Sequence, residues 1–435
     1  MQYLSYPSFL FTPKGAAGYE VSHWFVSDFI AYPYSRGSET FAQDESKRSP
    51  AITTGTLSPL KMRSIGPALM SGRIADIAID AKQPNTWYVA AGSGNLWKTI
   101  NAGTTWKPIF ERYGSYSIGC IALDPRDRDT LWVGTGENVG GRHVGYGDGI
   151  YVSHDGGQTF VNKGLKNSEH LSKIIIHPED SQTLFVASQG PLWSSGGERG
   201  LYKSTDGGAT WRAVLTRGPW TGVTDVVMDP KNPNILFAAT HQRHRTVYGL
   251  INGGPESGIH KSVDGGETWV ELKSGLPGAD KGKMSIAISP QKSNVVYAAI
   301  ELAGPTGGVW RSENGGQSWT KMSDYVAGGT GPHYYQEIYC DPHRFDVFYH
   351  ANVQLGRTED GGATFNSVGN SNKHVDNHAV AFHPSDPDFL LVGCDGGLYR
   401  SWDYAETYQY TANLPLTQFY LSLIHISEPT RLGAI

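Results

Sequence analysis

Charge is scarce in these 435 residues: Asp, Glu, Lys and Arg together make up 18% of the chain. So low a fraction argues against long coiled coils and disordered tails, which are rich in charged side chains. Nor is there an excess of base, with 36 Lys and Arg against 41 Asp and Glu. A nucleic-acid binder normally carries a basic patch, so no nucleic-acid partner is expected. No apolar run approaches the ~18–20 residues of a spanning helix, so no membrane span is expected. The three cysteines, Cys120, Cys340 and Cys394, are odd in number and widely spaced. That pattern fits neither a disulfide framework nor a zinc site; they read as small core residues. No stretch of ten or more residues shows a convincing 3.6-residue apolar period.

What the chain does have is glycine, 54 residues, together with 12 Trp and 23 Tyr. Roughly one residue in eight is glycine, against a usual ~7%. The mixture suits many short strands joined by tight turns. Residues 1–58 lack a basic start followed by an apolar stretch, so no signal peptide is recognisable there. This segment is expected to be poorly structured.

Seven copies of one pattern organise residues 59–420. Each runs hydroxyl residue, any residue, Asp or Asn, two small residues, any residue, Thr or Ser, aromatic. The third position falls at Asn101, Asp155, Asp206, Asp264, Asn314, Asp360 and Asp403. The clearest copies are Ser204-Thr205-Asp206-Gly207-Gly208-Ala209-Thr210-Trp211 and Ser262-Val263-Asp264-Gly265-Gly266-Glu267-Thr268-Trp269. The last is eroded, with Tyr404-Ala405 in place of Gly-Gly. Spacings of ~40–50 residues indicate one supersecondary unit repeated. Each unit divides into four short apolar strands, the first often closed by Asp-Pro or His-Pro. The expected fold is therefore all-β, a seven-bladed propeller of four-stranded blades. Within the motif, the carboxylate can accept turn amides, glycine permits positive φ, and the hydroxyls close the turn locally. Seven near-identical Asp or Asn positions make a structural role more plausible than a catalytic one, since an active site needs one asymmetric constellation.

These repeats resemble the Asp-box, or bacterial neuraminidase repeat. The arrangement resembles the sortilin N-terminal domain, the tandem-propeller xyloglucan hydrolases and, above all, exported glycosyl hydrolase-like proteins. Arg63-Ser64-Ile65-Gly66-Pro67, Ser71-Gly72-Arg73-Ile74-Ala75-Asp76, Gly190-Pro191-Leu192-Trp193 and Lys373-His374-Val375-Asp376-Asn377-His378 carry the likeness. It covers about residues 60–420. It implies a secreted or periplasmic protein that binds an extended polysaccharide or peptide, with a second propeller beyond this one and no cofactor. Glycoside hydrolysis is the activity that the resemblance suggests. The alternative is a non-catalytic interaction scaffold of sortilin or photosystem-assembly-factor type.

One departure favours that alternative. In the xyloglucan hydrolases a catalytic Asp ends the second strand of the first blade, before a Gly-Gly-x-Tyr stretch. Placing that stretch on Ser93-Gly94-Asn95-Leu96-Trp97 puts Gly92 at the Asp position. A similar Asp stands in the seventh repeat, in Cys394-Asp395-Gly396-Gly397-Leu398-Tyr399. Residues 421–435 depart too: Ser422-Leu423-Ile424-His425-Ile426-Ser427-Glu428-Pro429-Thr430-Arg431 resembles translated sequencing-adapter text. That tail is expected to be non-native and the chain an N-terminal fragment.

In a propeller, loops entering first strands and leaving second strands meet at one face, the expected place for function. Long insertions in repeats two to four predict an open groove on that face. Glu137, Asp376 and Asp395 are the candidate catalytic carboxylates, because paired carboxylates ~5–9 Å apart can divide acid and base roles. Hydrogen bonds that hold the long loop are the plainer role for Glu137. Arg73, Trp193, Arg243, Tyr334, Tyr335, His374 and His378 are the candidate ligand-binding residues. The segment from His374 to His378, if extended, would point His374, Asp376 and His378 to one face, as a metal or acid–base set needs. A hydrogen-bonded His374–Asp376 pair is favoured instead, for want of a fourth ligand, and no metal is assigned. Arg243 lies in the basic run His241-Gln242-Arg243-His244-Arg245, which could pair with an acidic sugar or peptide terminus or simply form a solvated loop. Trp193, Tyr334 and Tyr335 offer stacking faces for sugars, although such aromatics commonly pack blade edges.

Overall fold

The computed structural model describes residues 71–417, apart from His143, residues 304–305 and 327–336, and Asn370. Residues 1–58 and 421–435, and Tyr334 and Tyr335, lie outside the described residues. Seven antiparallel sheets follow one another along the chain, each with its strands paired in sequence order. The first strands are Ile74–Ile79, Ile118–Leu123, Leu171–His177, Thr221–Asp229, Lys281–Ile288, Glu337–Cys340 and Asn377–Phe382. From blade one to blade six successive first strands lie against one another, while the first strand of blade seven lies against the second strand of blade six and against the first strand of blade one. The fold is a seven-bladed propeller. No helix occurs among the described residues, so none there is long and apolar enough to cross a membrane.

Side-chain volume along each second strand explains how the blades fit together. In Trp87–Ala91 every residue is buried, because neighbouring blades cover both faces of the sheet. Blades converge toward the axis, so bulky residues must sit outside and small ones inside. Tyr88 gives way to Ala90, Trp132 to Gly134, Phe185 to Ala187, Phe237 to Ala239 and Tyr297 to Ala299, all buried or glycine. Blade four departs from the expected pattern. Its second strand continues as Asn232–Arg245 and pairs with an extra strand, Leu250–Asn252, so the basic run is β-ribbon and not loop.

The repeated motif is a hydrogen-bonded turn. In the third copy Ser204 Oγ donates to Asp206 Oδ1 at 2.8 Å and accepts Gly208 N at 2.8 Å. Asp206 Oδ1 also accepts Thr210 N at 2.9 Å, and Oδ2 accepts the Thr210 hydroxyl at 2.6 Å. The Thr210 hydroxyl, the Thr210 amide and Ser204 together hold the Asp206 carboxyl down to about 2. Where Asn replaces Asp the polarity reverses: Asn314 Nδ2 donates to Ser318 Oγ at 2.8 Å. The eroded seventh copy keeps the left-handed turn without glycine, with φ of 59° at Tyr404 and 70° at Ala405.

The ring closes by packing. Ile74, Val89 and Ala91 of blade one share a core with Ala379, Leu391 and Leu398 of blade seven, joined by Leu414 and Leu416. Ser71 N donates to Gly396 O at 3.0 Å across the same seam. Asn413 Nδ2 reaches Gly103 O at 2.8 Å.

Candidate functional site

Three blades place charged side chains at one point above the seam. Arg73 immediately precedes the first strand of blade one. Glu137 follows Leu131–Thr135 in blade two, and Asp395 follows Leu390–Cys394 in blade seven. Arg73 Nε and Nη2 grip Asp395 Oδ1 and Oδ2 at 2.6 and 3.2 Å, while Nη1 donates to Glu137 Oε1. A β-bulge between Asn377 and Ala379 turns His378 toward the cluster, and its Nε2 lies 2.8 Å from Asp395 Oδ1. Arg73, Glu137 and His378 are at most 5% exposed, whereas Asp395 keeps 30% of its side chain open.

This arrangement fixes protonation. Burial pushes the Asp395 carboxyl up, but the His378 and Arg73 bonds more than offset it and hold it far below the usual carboxylate range. Burial also pushes the His378 imidazole down, so near neutral pH it holds Asp395 as an uncharged donor. One guanidinium between two carboxylates leaves the cluster net negative. A carboxylate so firmly ionised is a poor proton donor, because a general acid needs a pKa near the working pH.

Gly92 lies directly beneath. A Cβ there would stand 2.7 Å from Glu137 Oε1 and 3.4 Å from Arg73 Cδ. The Glu137 carboxylate thus fills the room that a side chain at position 92 would need. Behind it, His170 Nδ1 bonds the Glu137 carbonyl at 2.7 Å, and burial pushes the His170 imidazole down to about 3.

Other expected residues fall differently. Asp376 has φ of 64°, so the run from His374 to His378 turns and does not align its side chains as an extended strand would. His374 Nδ1 bonds Val375 O at 2.6 Å in place of the expected pairing with Asp376. The Asp376 carbonyl accepts Asp395 N at 3.0 Å, which keeps both residues beside the cluster. Among the described residues, no three His, Cys, Asp or Glu side chains are grouped so as to hold a metal. Arg243 is 2% exposed and donates to Gly190 O at 3.1 Å and Val139 O at 3.4 Å. It pins two loops together and is neither a solvated nor a ligand-facing cation, because the ribbon carries it inside.

Trp193 lines an open groove of about 580 Å³ between blades two and three on the loop-rich face. Tyr146, 56% exposed between two glycines and with its ring against His170, lines the same groove. Lys166, Asn167 and Glu169 line the same groove. Glu169 has a left-handed backbone, φ 56°, and burial pushes its carboxyl up against the pull of Arg199 and Arg243. Neither Tyr146 nor Glu169 stands out from sequence spacing. An aromatic between two glycines is the signal that could have found Tyr146.

The axis itself carries charges that sequence reasoning also missed. Asp76 Oδ2 accepts Ile121 N at 2.9 Å, and Asp225 Oδ2 accepts Ser285 Oγ at 2.9 Å and Ile286 N at 2.8 Å. Each carboxylate stitches its blade to the next. With Lys173, Lys283 and Glu337, Asp225 borders an axial cavity of about 410 Å³.

Comparison with known proteins agrees with this architecture. The sortilin–Vps10 family model (sortilin, neurotensin receptor 3) matches residues 148–302. Xyloglucanase Xgh74A of Acetivibrio thermocellus is 24% identical over 268 residues, covering 54% of this chain and 29% of that enzyme. The xyloglucanase of Hypocrea jecorina is 27% identical over 236 residues, covering 46% of this chain and 26% of its own length. Among solved structures, the GH74 xyloglucanase from Xanthomonas campestris superposes with TM-score 0.59 at 16% identity, over 80% of this chain and 55% of that one. YCF48 bound to D1 peptide superposes with TM-score 0.51 at 13% identity, over 77% and 94%. The chain therefore spans less than a third of those curated relatives and about half of the solved xyloglucanase. It is a seven-bladed propeller, similar to the sortilin-type and xyloglucanase propellers.

Proposed function

We propose that this propeller binds an extended, uncharged polysaccharide along its loop-rich face, as a glycoside hydrolase-like module of an exported protein with a second propeller. The observation that carries this reading is the groove lined by Tyr146 and Trp193. Two aromatic faces and polar side chains share an open channel, and sugars stack on aromatic faces while their hydroxyls hydrogen-bond at the edges. The net negative Arg73 cluster beside the face disfavours acidic sugars and peptide carboxylates. The named activity of the xyloglucanase relatives supports the same ligand class.

Hydrolysis needs a protonated carboxyl, which Asp395 does not offer. Burial raises the Glu169 carboxyl above its ordinary value, and Glu169 lines the groove. A second reading is therefore slow glycoside cleavage with Glu169 as proton donor. Retention of the chain on a panel of neutral polysaccharides, with the products analysed afterwards, tests both readings. Retention without products supports binding alone. Products that vanish in Glu169→Gln assign the acid, and no retention on any neutral glycan sinks the proposal.

A further inference from the structure

On the face opposite the groove, one contact recurs from blade to blade. The residue before each Asp-box hydroxyl is Lys98, Val152, Lys203, Lys261, Arg311, Arg357 and Arg400 in blades one to seven. Six of the seven are cations. Lys98, Lys203 and Lys261 donate to Gly156 O, Gly265 O and Gly315 O at 2.7, 2.7 and 2.6 Å. Each acceptor is the carbonyl just after the box acid of the next blade. Arg357 donates to Tyr404 O in the same way, and Arg400 reaches Ala102 O at 3.4 Å, which carries the pattern across the seam. Arg311 lies against Gly361 but bonds Asp346 at 3.0 Å.

The three lysines share two further features. Each lies over an aromatic ring of its own second strand: Lys98 over Tyr88 at 5.1 Å, Lys203 over Phe185 and Lys261 over Phe237 at 5.5 Å. A carboxylate also acts on each cation: Asp129 and, less strongly, Asp80 on Lys98, Asp229 on Lys261, and Glu267 on Lys203 at 2.6 Å. Carbonyl, ring and carboxylate together make a site for a primary ammonium.

Blade two has all three groups but carries Val152 where the cation belongs. Val152 is buried in the core beside its cross-strand partner Trp132, and Trp132 borders a cavity of about 320 Å³ together with Asp124, Gly207, His154 and Lys163; Trp132, Asp124 and Gly207 are the counterparts of ring, carboxylate and carbonyl. Asp124 is 4% exposed. Its Oδ1 accepts Arg126 N at 2.8 Å and Asp127 N at 3.2 Å, whereas among the described residues none donates to Oδ2. Among the described residues none donates to Gly207 O either, whereas its counterparts in blades two, four and five accept a lysine. Asp127 and Asp206 add negative charge at the rim, against which stands Lys163.

We infer that this inter-blade cavity binds a primary alkylammonium group supplied from outside the chain, with Asp124 as counter-ion, Gly207 O as acceptor and Trp132 as the ring beneath. The chemistry is shared by free alkylamines and by the lysine side chain of another protein. It is independent of glycan binding on the opposite face.

Calorimetric titration of the chain with n-butylammonium and with the peptide acetyl-Gly-Lys-Gly-amide tests the inference. Both should bind weakly. Equal affinities assign a free amine as the ligand, and a tighter peptide assigns a lysine side chain. Asp124→Asn, which keeps the Oδ1 acceptor, should weaken binding about tenfold, a step of 1.4 kcal/mol. Val152→Lys supplies the cation internally and should abolish binding while raising Tm; Val152→Met is its size control. If Val152→Lys does not fold, the Asp124→Asn result decides. Absence of binding, or binding indifferent to Asp124→Asn, overturns the inference. Binding that shows only in Lys163→Gln also overturns it, because the chain would then fill the site itself.

Discussion

The Glu137 carboxylate occupies the space into which a side chain at Gly92 would project, 2.7 Å from where its Cβ would stand. Glu137 cannot simply swing aside, because Arg73 and Gly145 N hold both of its oxygens. Gly92→Asp should therefore destabilise the fold by about 1–3 kcal/mol through overpacking, with like-charge repulsion in addition. Gly92→Asp combined with Glu137→Ala should recover much of that loss. Urea denaturation of the two variants checks this; equal stability of both would mean that the positions do not compete for space.

Arg73 is buried between two carboxylates and joins three blades. Arg73→Met leaves Glu137 buried without its cation, so a loss of about 3–5 kcal/mol is expected. Adding Glu137→Gln should restore a large part, since it removes the uncompensated charge. A double-mutant cycle by chemical denaturation measures the coupling. Strict additivity would show that the buried pair does not organise the site.

Acid should act through His170. Its folded-state pKa, about 3, lies below the ordinary value of 6.5. The unfolded chain therefore takes up the proton first, and the stability contributed by neutral His170 is lost as pH falls from about 6.5 toward 3. The expected slope is about 1.4 kcal/mol per pH unit. Relative to wild type, the deficit of His170→Asn should shrink at that rate on acidification. A deficit constant from pH 7 to pH 4 would contradict the buried, neutral assignment.

The Asp-box turns are structural in this account. Asp360 Oδ1 accepts Thr364 N at 2.9 Å and its Oδ2 accepts the Thr364 hydroxyl at 2.6 Å. Asp360→Asn should be tolerated, because Asn101 and Asn314 already make the turn with reversed polarity. Asp360→Ala should lower Tm by about 1–4 °C, the fall expected when a lost turn interaction of ~1–3 kcal/mol is spread over a propeller of this size. Thermal melts of both variants decide; a glycan-binding defect in a fully stable Asp360→Ala would assign the box a functional role.

The blades were legible because one turn motif repeats and because hydrophobic strands alternate with glycine-rich turns. The meeting of Arg73, Glu137, Asp395 and His378 follows from topology, since strand entries and exits gather at one rim. Arg243 was misplaced because nothing in its sequence shows that the second strand of blade four runs fourteen residues and carries it inside. Asp376 was misplaced because a non-glycine residue gives no warning of a positive φ. Glu169 and Tyr146 owe their position to loops from two blades that only the folded ring brings together. The alkylammonium site was hidden because it is marked by an exception, a valine among six cations, visible only once the contact is known.

The most direct test of the central claim is the affinity of the chain for a neutral xyloglucan oligosaccharide, measured calorimetrically beside Trp193→Ala and Tyr146→Ala. The groove account predicts that wild type binds and that each variant, still folded, binds about tenfold or more weakly, one 1.4 kcal/mol step per lost stacking face. A wild-type chain that binds no neutral glycan, or variants that bind as tightly as wild type, would contradict it.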